Sequence, residues 1–134
     1  MSITIEQKKT RMRGVKIAIF VVALVVSFLH APWVRSIFFS ATIGGYFLAA
    51  TILFAIGAFA ALTSGKLARV AVSGLLALSI IDCALIYATR TFPTPFFGGR
   101  VLAWSSNWMP PGPVQIFIAQ VVLIILAAYA LAAK

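Results

Sequence analysis

The side chains that could take part in chemistry are few, and the first of them is an aspartate inside an apolar segment. Asp82 lies in the run SIIDCALIY and is, with Glu6, one of only two acidic residues in the chain. An aspartate at the centre of a membrane span costs about 2.5–3.5 kcal/mol on insertion scales, so it is normally protonated, paired, or directed to water or protein. We therefore expect Asp82 to face the interior of a helical bundle or a subunit interface.

Polar residues on three other apolar segments are expected at the depth of Asp82. Counting inward from the outer end of each predicted helix by roughly 10 Å, at 1.5 Å per residue, reaches Ser27, Thr42 and Gln120. The residues predict either a polar, proton-exchanging site around Asp82 or structural hydrogen bonds between packed helices, each contributing about 0.6–2 kcal/mol. Ser79 shares a helix face with Asp82 and could bond to it within the same helix.

The remaining metal-ligating and nucleophilic residue types are too few for a complete site. His30 is the only histidine and Cys83 the only cysteine, so the chain lacks the three or four ligands of a zinc or copper site and the two histidines of bis-imidazole haem ligation. We expect no metal site, a non-ligating His30 at the membrane interface, and no cofactor bound by this chain alone, although structural lipids are expected. The chain is not expected to be catalytic by itself, but it could be a subunit of an oxidoreductase complex.

Four apolar segments are expected to position these residues. Hydrophobic residues make up 63% of the 134 and charged residues only 10%, against about 25% charged in an ordinary soluble domain. The apolar runs predict an all-α, single-domain transmembrane bundle over residues 1–134, with helices at about 15–34, 37–62, 67–89 and 114–133. The first fourteen residues are polar and basic and are predicted to form a tail or the frayed start of helix one.

The segment between helices three and four is rich in proline and aromatic residues. Five of the six prolines and two of the three tryptophans lie between Arg90 and Pro113. If residues 100–108 form a short helix, Trp104 and Trp108 share one of its faces, where they would anchor in the head-group layer or dock another subunit. We interpret Trp33, Trp104, Trp108 and Arg100 as interface or anchor residues.

The net charge of +9 is interpreted as a topology signal. The cations stand at the ends of apolar runs, where they set orientation and meet anionic head groups, so nucleic-acid binding is not expected. With the N-terminus inside, eight cations are cytoplasmic (Lys8, Lys9, Arg11, Arg13, Lys16, Lys66, Arg69 and Lys134) and three are outside (Arg35, Arg90 and Arg100). The chain is thus expected to be a multi-pass protein of the cell membrane with both termini cytoplasmic.

These features favour one function and leave another open. Missing catalytic chemistry, little mass outside the membrane and an aromatic outer loop favour a non-catalytic accessory subunit of a larger membrane complex. A respiratory or other electron-transfer assembly is the first candidate for that complex, with other membrane subunits and the bilayer as partners. The alternative is a small homo-oligomeric transporter or channel that uses Asp82.

Overall fold

The computed structural model describes residues 4–95, 98–108 and 110–133 and consists of four long helices. These are α1 (Ile5–His30), α2 (Ala41–Ala61), α3 (Gly65–Thr91) and α4 (Pro113–Ala132), with a 3-10 helix at Ala31–Phe38 between α1 and α2. The predicted all-α four-helix architecture is confirmed.

All four helices are long and apolar enough to cross a membrane. Only 22–28% of the residues in each apolar window are buried inside the protein, so most of the apolar surface faces outward. That surface would be unfavourable in water but is solvated by lipid. The chain is therefore a multi-pass membrane protein in contact with the bilayer.

Helix α1 begins ten residues earlier than the sequence predicted, because a capping box starts it. The Thr4 side chain accepts a hydrogen bond from the Gln7 backbone N–H at 3.2 Å, and the Gln7 side chain accepts one from the Thr4 N–H at 3.1 Å. This reciprocal pair satisfies two of the free N–H groups at a helix start. Of the two predictions for the basic segment, the start of helix one is confirmed and the tail is not, since the helix begins at Ile5 and not at about residue 15.

The predicted boundary between helices one and two is also wrong. Pro32 lies in the first turn of the 3-10 helix, which continues to Phe38. Ser40 then caps α2 by accepting a hydrogen bond from the Ile43 N–H at 3.2 Å. Gly44 allows this tight connection, because a Cβ there would collide with the backbone of Ile37. The α2 helix therefore begins at Ala41 and not at residue 37.

The loop between α3 and α4 contains no helix over residues 101–107. Two isolated bridges, Thr94 with Arg100 and Trp108 with Pro111, fold the loop back on itself. The helical face that residues 100–108 would have formed is therefore absent. Pro113 opens α4, a position where its missing N–H costs no helical hydrogen bond.

The helices form an antiparallel ring in which each packs on the next and α4 closes on α1. We call the end with the 3-10 helix and the described residues of the loop between α3 and α4 the loop end, and the end with residues 62–64, the start of α1 and the end of α4 the terminal end. The centre of the bundle toward the terminal end is filled by fully buried apolar side chains, of which Phe54, Ile19, Leu75 and Leu123 are the largest. Lys134, counted above as a cytoplasmic cation, lies outside the described residues.

Candidate functional site

Four polar side chains, one from each helix, meet inside the bundle. They are His30 at the end of α1, Tyr46 on α2, Asp82 on α3 and Gln120 on α4. His30, Asp82 and Gln120 are at most 2% exposed. The structure places Asp82 inside the bundle, as its insertion cost predicts.

Asp82 forms hydrogen bonds with side chains from the three other helices. Its Oδ2 lies 2.9 Å from His30 Nε2 and also accepts from the Gln120 amide, while its Oδ1 accepts from the Tyr46 hydroxyl. On the other side of the imidazole ring, His30 Nδ1 lies 2.7 Å from the Val26 carbonyl oxygen. Every helix of the bundle thus contributes to one hydrogen-bonded cluster, which we call the polar cluster.

The contact between His30 and Asp82 is consistent with one proton shared between the two side chains. A carbonyl oxygen can only accept, so His30 Nδ1 carries a proton that it donates to Val26. The contact between Nε2 and Oδ2 then needs a second proton, held either as imidazolium and carboxylate or as neutral imidazole and carboxylic acid. Both forms have zero net charge, which the low dielectric of a membrane interior favours. The polar cluster can therefore hold one proton between His30 and Asp82.

Neighbouring groups hold the cluster in this geometry. The Cys83 thiol donates to Gln120 Oε1 at 3.6 Å, which turns the amide nitrogen toward Asp82. The His30 ring stacks on Phe54, with ring centroids 5.4 Å apart and planes inclined by 28°. Phe54 also belongs to the apolar core, so the cluster is closed off on the side of the terminal end.

On the opposite side, the polar cluster opens into a cavity of about 470 Å³. Asp82 stands nine residues before the end of α3, a rise of about 14 Å, so the cavity lies within the loop-end half of the bundle. Its walls are mostly apolar, and they include Trp33, Phe47, Leu85, Ile86, Leu102 and Ile116. His30, Tyr46 and Asp82 supply the polar part at its floor.

An arginine lines the same cavity nearer the loop. Arg90 Nη1 donates to Thr89 Oγ1 at 2.6 Å, whereas Arg90 Nε is buried and has no hydrogen-bond partner among the described residues. Arg90 follows Asp82 by eight residues, about 12 Å along the helix. The cavity is thus lined by His30 and Asp82 at its deeper end and by the Arg90 cation nearer the loop.

The structure brings only some of the sequence-predicted polar residues together. Gln120 bonds to Asp82, and Thr42 lines the cavity without joining the cluster. Ser27 instead donates to the Thr51 carbonyl oxygen at 2.7 Å, linking α1 to α2. The proposed bond from Ser79 to Asp82 does not form, because Ser79 Oγ is buried without a partner in the described part of the chain.

Sequence reasoning missed two members of the polar cluster. His30 was expected at the interface but is 1% exposed and bonded to Asp82. The sequence indicates the position of His30, because His30 lies less than one helical turn from Ser27, which is predicted at the depth of Asp82. Tyr46 stands one turn after Thr42 and carried the same signal.

The residues interpreted as interface anchors have different environments. Trp33 Nε1 donates to the Pro111 carbonyl oxygen at 2.8 Å and its ring stacks on Phe47 at 6.0 Å, so it joins the 3-10 helix to the loop. Trp104 is 45% exposed and Trp108 70% exposed. The Arg100 carbonyl oxygen accepts from the Thr94 N–H at 3.3 Å.

Fold and site define an integral membrane protein with four transmembrane helices and a hydrogen-bonded His–Asp pair at the floor of an internal cavity. Comparison of the chain with protein-family models, curated proteins and solved structures found no match.

Proposed function

We propose that this chain is a membrane-embedded binding protein that takes a small, largely apolar molecule into the loop-end cavity and exchanges a proton with it through His30 and Asp82. The observation that carries this proposal is the position of the pair at the floor of an apolar cavity. Binding sites are typically cavities of about 300–1,000 Å³ with apolar walls and a few polar groups. Ionisable residues inside a membrane commonly mark substrate or proton sites.

The floor and walls of the cavity favour a particular class of ligand. The Tyr46 hydroxyl can rotate from Asp82 to a ligand oxygen, and the proton between His30 and Asp82 can pass to a ligand oxygen anion. Trp33 and Phe47 lie with their planes inclined by only 28° and offer ring faces for stacking. The favoured ligand is therefore a hydrophobic molecule with a ring and an oxygen. A phenol or quinol can exchange a proton with the pair, whereas the corresponding quinone can occupy the same site with its carbonyl oxygen only accepting a hydrogen bond.

The cation distribution supports a topology for this binding protein. Eight of the eleven Lys and Arg residues belong to the segments at the terminal end and three to those at the loop end, and cytoplasmic segments accumulate cations. We therefore place both termini in the cytoplasm and the loop end outside, in the plasma or inner membrane. In this orientation the ligand enters from the outer half of the bilayer.

Quenching of Trp33 fluorescence by a short-chain quinone tests the proposal. Trp104→Phe and Trp108→Phe leave Trp33, which lines the cavity, as the only tryptophan. Saturable quenching is expected, with affinity about 2- to 12-fold weaker in Tyr46→Phe, because one hydrogen bond to an uncharged partner contributes about 0.5–1.5 kcal/mol.

Tyr87→Phe is the matched control, because Tyr87 is 56% exposed on α3 and does not line the cavity. The quinone should quench Trp33 fluorescence in this variant with the same affinity as in the parent protein. Quenching that never saturates, or that is identical in the Tyr46 variant and the control, would contradict the proposed binding site.

We also propose that the chain works as an accessory subunit of a larger membrane complex, with an electron-transfer assembly as the first candidate. Exposed aromatic side chains at the loop end support a partner there: Phe39 is 93%, Phe38 86% and Trp108 70% exposed, and aromatic residues are enriched in protein interfaces. Tagged purification in mild detergent followed by mass spectrometry should recover one stoichiometric set of membrane subunits. Recovery of the chain alone would count against this role.

A homo-oligomeric transporter or channel remains the alternative, and the hydrogen-bonded pair of His30 and Asp82 inside the membrane is the observation that favours it. The buried core between Asp82 and the terminal end is mostly apolar, with Phe54 and Leu123 fully buried and Ser27 and Ser79 as its buried hydroxyl groups, so the described residues offer little polar lining for a path there. Asp82→Asn discriminates between the two roles. A proton-coupled transporter should lose transport while still assembling, whereas an accessory subunit should at most assemble less well.

A further inference from the structure

A second cleft lies at the terminal end, far from the polar cluster, and combines cations with an apolar floor. It has a volume of about 330 Å³ and is bounded by α1, α3 and α4. Four cationic residues line it, which are Lys8, Lys9 and Lys16 from α1 and Arg69 from α3. Neither of the two acidic residues of the chain, Glu6 and Asp82, is among its lining residues.

We infer that this cleft binds one acidic diacyl phospholipid, with its phosphate among the four cations and its acyl chains along the apolar floor. Met12, Val72 and Leu131 form that floor. Lys16 lies eight residues deeper along α1 than Lys8, about 12 Å, so the cations span the head-group level and the top of the acyl region. A phosphate alone would leave the apolar floor uncovered.

A hydrogen bond within the protein holds one of the four cations, Lys16, in place. The Lys16 ammonium donates to the Thr63 carbonyl oxygen at 2.8 Å, which fixes its position and leaves two N–H groups for a phosphate. Juxtamembrane Lys and Arg clusters attract acidic lipids, each cation strengthening binding by about fivefold. This inference does not depend on the ligand proposed for the loop-end cavity.

Native mass spectrometry in mild detergent tests the inference with phosphatidylglycerol and phosphatidylcholine of identical acyl chains as probes. One phosphatidylglycerol per chain should bind more tightly than phosphatidylcholine. The combined substitutions Lys8→Gln, Lys9→Gln and Arg69→Gln should weaken that binding by about a hundredfold, as three steps of about fivefold.

The matched control removes the same charge from cations that do not line the cleft, through Arg11→Gln, Arg13→Gln and Lys66→Gln. It should weaken binding by less than about threefold if the site is local, because none of these three side chains lines the cleft and salt screens their exposed charges. Equal losses in both triple variants would show diffuse surface attraction and overturn the site. Equal affinity for the two lipids, or displacement by inorganic phosphate, would also overturn it.

Discussion

Replacement of Asp82 by leucine should destabilise the bundle, because three polar side chains inside it, two buried and one partly buried, would lose a hydrogen-bond partner. His30, Tyr46 and Gln120 each bond to Asp82 from a different helix. Hydrogen bonds between membrane helices contribute about 0.6 kcal/mol on average and about 1.7 at most, so three bonds correspond to a loss of about 2–5 kcal/mol. Leucine at position 82 is itself favourable in an apolar environment. The loss in free energy of unfolding therefore measures the cost of leaving His30, Tyr46 and Gln120 without their hydrogen-bond partner.

The free energy of unfolding can be measured by titrating the purified protein from mild detergent into dodecyl sulfate and following helical circular dichroism. Thr51→Val is the matched control, since the Thr51 hydroxyl bonds to the Phe47 carbonyl oxygen of its own helix and its removal should cost less than about 1 kcal/mol. Adding His30→Leu to Asp82→Leu removes both members of the pair, and the two losses should be less than additive. An Asp82→Leu loss no larger than the Thr51→Val loss would refute a stabilising role for the polar cluster.

Three further outcomes are expected. In a cysteine-free background, a cysteine at position 99 should react with an impermeant outside reagent and one at position 65 should not; the opposite pattern would reverse the proposed topology. Gly57→Leu should lower the free energy of unfolding by about 1–3 kcal/mol through overpacking, because even a Cβ at Gly57 would come within 2.6 Å of a neighbouring leucine. Gly45→Ala is the control: its Cβ meets nothing within 4 Å, so the free energy of unfolding should not change. As the only tryptophan, Trp108 should show blue-shifted emission from contact with head groups or a partner, and water-like emission would count against its anchoring role.

Local sequence signals accounted for the number and kind of elements but not for all their ends. Long apolar runs predicted four membrane helices. The start of α1 was missed because its capping box lies in a polar segment judged only by hydropathy. The 3-10 helix was missed because its apolar residues, Ala31–Phe38, do not differ in hydropathy from a continued span.

The sequence by itself determined that Asp82 must face inward, since the cost of exposing a carboxyl group to lipid depends only on residue type and depth. Counting along the helices also reached Gln120. Only the tertiary structure decided that His30 and Tyr46 complete the polar cluster while Ser27 bonds elsewhere. Depth along a helix follows from the rise per residue, but which residues at that depth meet depends on the rotation of each helix about its axis, and packing between helices sets that rotation.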